Sequence, residues 1–366
     1  MSRRVPVNLT WIAPGRVGGS EEYLVRQLMG FTDDEFEPEV ICTNAFAAAH
    51  PDLVTRFPTR ISPVGRDYRG VRIGLEHTWL AGLTRGADLV HHGGGTAPLI
   101  GRRPYVLTVH DLQYLEFPQY FSPTRRRYLD AMMPPSVRRA AVVATPSEFV
   151  RRTVIDAFDV DPARVVVVPH GIPELAVSAT QVADARRRHR VDRRPYVVYP
   201  AITHPHKGHL VLADMLDRLD GVDLVLVGGA GSADERLNEV IGGSERVIRT
   251  GRVSAADRDA LVAGSDALVF PSEYEGFGAP LVEAMALGVP VVGSDAAAVC
   301  EVVDGAGIIV AERSGAAWAA AVDEARSRRE ELVERGRRRS AAFDLATSGR
   351  ALAAAYRLAI ERGRSQ

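Results

Sequence analysis

A chain of 366 residues exceeds the roughly 250 to 300 at which a single core stops growing, so two domains are the starting expectation. Hydrophobic residues at 46% and charged residues at 25% are ordinary globular proportions and exclude extended disorder. A formal net charge of −1 supplies no basic field for nucleic acid, so no nucleic-acid partner is expected and an anionic ligand must be met by local chemistry.

The two cysteines, Cys42 and Cys300, are too few for a disulfide framework or a structural zinc site. The N-terminus lacks the apolar region and cleavage site of a signal peptide, and no run approaches the ~18 apolar residues of a membrane span. A cytoplasmic protein is expected, with any membrane contact peripheral.

Short apolar runs at residues 5–12, 39–42, 89–91, 105–109, 141–145 and 165–169 read as strands, and residues 20–30, 124–139 and 147–158 carry helical spacing or good N-caps. Strands alternating with helices predict a parallel α/β sheet. Residues 171–194 lose the alternation, become polar and Arg-rich, and read as an interdomain link with one short helix. The alternation restarts with strands at 196–199, 224–227, 247–248, 267–270, 289–292 and 307–310. Two successive doubly wound units follow, at residues 1–175 and 176–345. A last helix over 345–361 carries Leu352, Tyr356 and Ile360 on one stripe, which needs a partner surface.

The strongest motif follows the strand at 267–270: Pro271-Ser272-Glu273-Tyr274-Glu275-Gly276-Phe277-Gly278-Ala279-Pro280-Leu281-Val282-Glu283. Its glycines let backbone amides approach a ligand, Pro280 suits a first helical turn, and the helix N-terminus suits a diphosphate. Carboxylates repel phosphate, so Glu275 and Glu283 fit neutral hydroxyls, for which they are strong acceptors. Lys207 is the single lysine among 45 cationic side chains and follows another strand at the start of a helix, again a phosphate-site geometry. Lysine is a compact point charge, and its survival at one position in an Arg-rich chain marks that position.

Three further features are weaker. Pro14-Gly15-Arg16-Val17-Gly18-Gly19-Ser20 joins the first strand to the first helix but fails the dinucleotide fingerprint, as does Gly229-Ala230-Gly231. His110 ends a strand, where open α/β sheets place ligand contacts, and His91-His92 before Gly93 suits either a site or a structural role. Asp159-Val160-Asp161 and Asp257-Arg258-Asp259 lie at helix-loop junctions without strand context, read as capping residues, and imply no metal.

Glu275 and Glu283, with seven residues between them around Gly276-Phe277-Gly278, resemble the E-x7-E signature of the retaining group 1 (family 4 type) glycosyltransferases. The glycine loop, His110, Ser147-Glu148-Phe149, Pro169-His170-Gly171, Lys207, Gly251-Arg252-Val253 and the Glu pair follow that family's order over nearly the whole chain. The resemblance implies a GT-B fold: two Rossmann-like domains facing a central cleft, with residues 346–366 crossing back to the first. It implies a hexose, mannose favoured, moved from a nucleotide-diphosphate sugar such as GDP-mannose to a glycan or lipid-linked acceptor, with neither metal nor cofactor.

By the same resemblance His110, Glu275 and Lys207 act in catalysis. Gly18, Gly19, His206, Lys207, Val253, Glu275, Gly276, Phe277, Gly278, Leu281 and Glu283 bind the donor. Glu275 would meet the sugar, Glu283 the ribose and Lys207 the diphosphate, while His206 stands where the family commonly has Arg. A sugar-nucleotide epimerase of the same architecture and a nonenzymatic nucleotide-sugar-binding subunit remain alternatives. Arg125, Arg126 and Arg127 flank apolar residues and suit contact with an anionic membrane or a lipid-linked acceptor, with a solvated helix in an Arg-rich protein the leading alternative.

Overall fold

Each half of the chain builds one fully parallel sheet. The computed structural model describes residues 2–15, 18–63, 74–102 and 104–364, so Arg16 and Val17 of the glycine loop lie outside the described residues. The chain divides into two units, Met1–Pro173 with Asp344–Gln366, and Glu174–Phe343.

In the first unit, β1 (Arg3–Asn8), β2 (Phe36–Cys42), β3 (Thr59–Ile61), β4 (Val90–His92), β5 (Tyr105–Thr108), β6 (Val142–Thr145) and β7 (Val165–Val167) lie in the order β3-β2-β1-β4-β5-β6-β7. A parallel sheet covered on both faces reads as unbroken apolar runs, and Val5, Val7, Val106, Leu107, Val142 and Val143 are fully buried. Strand β3 is not anticipated by the sequence, because this three-residue edge strand is exposed at Arg60 and Ile61 and carries no apolar run.

The final helix, Leu345–Arg364, belongs to this unit, and its Leu352, Tyr356 and Ile360 enter the same core as Val5, Val7 and Tyr23. It packs on the helix Gly19–Met29 through an approach only glycine allows: a Cβ on Gly349 would lie 2.0 Å from the Gly30 carbonyl oxygen. Inside, His91 joins the Tyr356 hydroxyl at 2.9 Å through Nδ1 and the Thr108 hydroxyl at 2.8 Å through Nε2. The stripe predicted from sequence therefore finds its partner on the first sheet.

In the second unit, β8 (Tyr196–Pro200), β9 (Asp223–Val227), β10 (Val247–Gly251), β11 (Ala267–Phe270), β12 (Val291–Ser294) and β13 (Ile308–Val310) lie in the order β10-β9-β8-β11-β12-β13. Most of the polar stretch read as a link is a packed part of this unit. Its helix, Ala179–Arg188, starts with a Ser178–Gln181 capping box, and His189 Nε2 lies 2.9 Å from Asp257 Oδ2. Arg188 pairs with the same Asp257 and Arg194 with Asp223, so arginines that look like linker in sequence are ion-pair partners. Strand order reverses between β1 and β4 and between β8 and β11, and in such sheets ligands bind beyond the carboxyl ends of the strands at the reversal.

Candidate active site

The two strongest sequence motifs leave the two strands that flank the reversal in the second sheet. Lys207 follows β8, Glu275 follows β11, and Lys207 Nζ donates to Glu275 Oε1 at 2.6 Å. Both side chains are mostly sheltered, 21% and 14% exposed, so their pairing is far less screened than a surface ion pair.

The scaffold beneath them is a chain of hydroxyls. Tyr199 Oη donates to the Lys207 carbonyl at 2.9 Å, which leaves it to accept from Ser272 Oγ, also at 2.9 Å. Ser294 Oγ donates to the Ser272 carbonyl at 2.5 Å, and the Glu273 amide donates to the His206 carbonyl at 2.7 Å. Burial, then the Glu275 charge, raises the Tyr199 pKa well above its ordinary value, so the phenol keeps its proton. Tyr199 and Ser272 were not among the expected site residues. The available signal was an aromatic with a polar tip at a strand end, which needs a partner when buried.

Two close approaches shape the loops. Gly208 has φ 68° and a Cβ there would meet the Pro271 carbonyl oxygen at 2.4 Å, so only glycine lets the Lys207 loop lie on the strand end. Gly278 has φ 102° and caps the helix Ala279–Ala286, with Pro280 in the first turn. Pro280 has no N–H and the Leu281 amide donates to the Gly278 carbonyl at 3.0 Å, so that N-terminus offers the Ala279 amide and the positive end of the helix dipole. Phe277 is held edge-on to Phe343 with ring centroids 5.3 Å apart, Leu281 is fully buried, and Gly276 sits in the turn between Glu275 and Phe277.

Glu283 lies in that helix, 5% exposed, 3.9 Å from Arg258 Nη2, which also meets Asp259 at 2.9 Å. A buried carboxylate requires such compensation. His206 departs from the expected basic pair. Burial, then the Lys207 charge, lowers its pKa to about 3, so at neutral pH it offers one N–H and no positive charge. Val253 follows β10 and is half-buried.

In the first unit, His110 stands two residues beyond β5, its Nε2–H donating to the Gly93 carbonyl at 2.8 Å. Burial lowers its pKa to about 4, and a neutral ring that donates through Nε2 presents Nδ1 as an acceptor. Trp11 and Tyr23 hold the ring, at centroid distances of 5.7 and 5.4 Å. His91 is spent on Tyr356 and Thr108 and is structural. Gly18 caps the helix Gly19–Met29 with φ 69°, and a Cβ on Gly18 or Gly19 would meet nothing within 4 Å.

The first Asp-x-Asp pair caps as expected: Asp159 ends a helix in the left-handed region and Asp161 accepts from the Ala163 amide at 2.9 Å. The second does not, because Ser254 is the cap there, while Asp257 pairs with Arg188 and His189 and Asp259 with Arg258. Among the described residues no group of three or more His, Cys, Asp or Glu side chains converges as a metal site.

Residues 17–174 match the model of Glycosyltransferase Family 4 and residues 194–327 that of Glycosyl transferases group 1. The chain belongs to the group 1, family 4 glycosyltransferases. The chain is 29% identical to O-antigen chain mannosyltransferase B of Escherichia coli over 61% of either chain. It is 27% identical to 2-deoxystreptamine N-acetyl-D-glucosaminyltransferase of Streptomyces fradiae, covering 76% of this chain and 74% of the relative. Its match thus spans about three fifths of the first relative's length. In fold, the chain is similar to Anabaena Alr3699/HepE in complex with UDP-glucose, at a TM-score of 0.77, 21% identity and 98% coverage of this chain and 100% of that one. Its two Rossmann-like sheets are those of the GT-B fold.

Proposed function

We propose that the chain is a retaining hexosyltransferase of polysaccharide or cell-envelope synthesis. It moves mannose from GDP-mannose, in preference to other nucleotide sugars, to a glycan or lipid-linked acceptor without a metal. The observation that carries this is the Lys207–Glu275 pair at the strand reversal, beside the N-terminus capped by Gly278. One group there suits phosphate and the other suits sugar hydroxyls, on opposite sides of the bond to be broken. The mannosyltransferase relative supports the choice of sugar.

In the transfer, the bond from the sugar's anomeric carbon to the diphosphate breaks as the acceptor oxygen bonds that carbon from the same face. The acceptor's proton passes to the departing diphosphate. Lys207 and the positive end of the helix that Gly278 caps stabilise the charge that develops on the leaving group, the electrostatic work a divalent ion does in other transferases. Glu275 orients the sugar, Glu283 takes the ribose hydroxyls, and His110, as a neutral acceptor, serves the transfer step.

The test is incubation of the chain with GDP-mannose or UDP-glucose, with and without short mannosides and lipid-linked acceptors, in EDTA. Release of nucleoside diphosphate and an anomeric coupling that matches the donor's are expected. Inversion at the anomeric carbon, a strict need for Mg²⁺, or donor interconversion without acceptor would each overturn the reading.

A second contact is favoured by the helix Pro123–Arg139. Arg125, Arg126 and Arg127 are exposed along it, and the segment leading into it exposes Leu115 and Tyr120 at 47% and 38%. Cationic and apolar groups on one segment suit an anionic membrane surface. Among the described residues no helix is long and apolar enough to cross a membrane.

A further inference from the structure

Beyond the Lys207–Glu275 pair, the second sheet carries a cation that no part of the proposed transfer uses. Arg252 follows β10 directly, is exposed, and among the described residues makes no hydrogen bond or ion pair. The acids around it are committed elsewhere: Asp234 is held by Arg249, and Asp257 by Arg188 and His189. The side chain nevertheless has a fixed bed. A Cβ on Gly229 would meet Arg252 Nε at 3.0 Å and its Cγ at 3.5 Å, so the arginine stem lies flat on a glycine backbone that any larger residue would lift it from.

That bed continues toward the site. The turn after β9 rests on the loop that carries Lys207, since a Cβ on Gly231 would lie 2.2 Å from the Thr203 carbonyl and 2.9 Å from His204 Nδ1. The Thr203 amide in turn donates to the Gly229 carbonyl at 3.3 Å. β10, β9, β8 and β11 are consecutive, so Arg252 stands three strand spacings from Glu275, about 14 Å along the carboxyl edge. A donor whose sugar is at Glu275 and whose diphosphate is at Lys207 extends its base toward that end of the edge.

We propose that Arg252 reads the nucleobase of the donor, donating two parallel hydrogen bonds to N7 and O6 of guanine. The inference rests on the nucleotide-sugar reading above and deepens it. A guanidinium has donors only, in a rigid fork, so it prefers two adjacent acceptors. Guanine offers that pair on one edge, adenine sets a donor beside N7, and uracil has a single carbonyl there.

The test is calorimetric titration of GDP, UDP and ADP into the full chain, the Arg252→Ala variant and the Arg252→Lys variant. The wild type should bind GDP most tightly. Arg252→Ala should lose about tenfold or more in GDP affinity while UDP and ADP change little, and Arg252→Lys, with charge but no fork, should not restore the preference. Arg252 is exposed, so unchanged melting temperatures should accompany the loss. Equal loss for all three nucleotides, full rescue by Lys, or a wild-type preference for UDP or ADP would overturn the role of Arg252 and leave the donor class intact. Failure of the wild type to bind any of the three would remove the nucleotide-sugar reading and this inference with it.

Discussion

Lys207 Nζ and Glu275 Oε1, 2.6 Å apart, tie the end of β8 to the end of β11 across the reversal of strand order. The pair holds each charge partly sheltered and satisfied before a donor arrives. In the proposed transfer a diphosphate gives Lys207 a second anion to serve, and the geometry of one ammonium between two acceptors becomes the sensitive quantity.

Lys207→Arg keeps the charge but replaces a point donor with a wide planar fork. Turnover is expected to fall at least tenfold with little change in stability, since each ~1.4 kcal/mol lost in the transition state slows the reaction about tenfold. Lys207→Ala should be slower still and also less stable, because it leaves Glu275 without its cation. Steady-state kinetics and thermal melts check both, and wild-type turnover in Lys207→Arg would show that the lone lysine has no role at the diphosphate.

The two glutamates should separate kinetically. Glu283→Ala is expected to weaken GDP-mannose and GDP alike, because ribose is common to both, whereas Glu275→Ala should depress kcat and leave GDP affinity nearly unchanged. Titration of free GDP into each variant decides this, and equal losses in the two would count against the assignment.

The hydrogen bond of Tyr356 to His91 predicts a defect in the first unit alone. Tyr356→Phe strands one nitrogen of a buried imidazole and should cost about 1–3 kcal/mol of stability. Nucleotide affinity should stay at the wild-type level, because Lys207, Glu283 and the helix capped by Gly278 all lie in the second unit. A melt that does not move, or a parallel fall in GDP affinity, would contradict this.

Acid should destabilise the protein through the same region. Burial lowers the pKa of His91 to about 3 and of His92 to about 4, against an ordinary value of 6.5. Their neutral forms belong to the folded state, so the associated stability is complete above pH 6.5 and is lost as the pH falls through about 4. The slope is up to about 1.4 kcal/mol per pH unit for each histidine. Urea melts at pH 7.5, 6, 5 and 4 should show it, and a flat profile would be inconsistent with neutral buried rings.

For the exposed arginines, cosedimentation with vesicles rich in phosphatidylglycerol should fall sharply when Arg125, Arg126 and Arg127 are replaced by Ser, and should weaken with salt. Unchanged sedimentation of the triple variant would assign these residues to solvent.

Strand positions were legible because parallel strands covered on both faces must be apolar throughout, and runs such as Val142–Thr145 and Ala267–Phe270 have few other readings. The edge strand Thr59–Ile61 escapes because an edge carries no such constraint. In the site, Lys207, Glu275 and Glu283 stand out by type and spacing. Tyr199 and Ser272 do not, since their contribution is a hydrogen bond across 73 positions of sequence that only the topology brings together. The role of residues 174–194 was hidden for a related reason: an arginine paired with a distant aspartate and an arginine in solvent look the same on one line of sequence.

The first unit is made of two separate stretches, and the second is one continuous stretch of chain between them. During synthesis the second sheet can therefore close while the first still lacks the helix Leu345–Arg364 that covers Val5, Val7 and Tyr23. Residues 1–173 keep that apolar face open until Leu345–Arg364 has been made, and the glycine contact of Gly30 with Gly349 joins positions more than 300 residues apart. Closing so long a loop is slow. The first unit can thus be completed only after the whole second unit has been made, which leaves its apolar face open to aggregation and to chaperones in the interval.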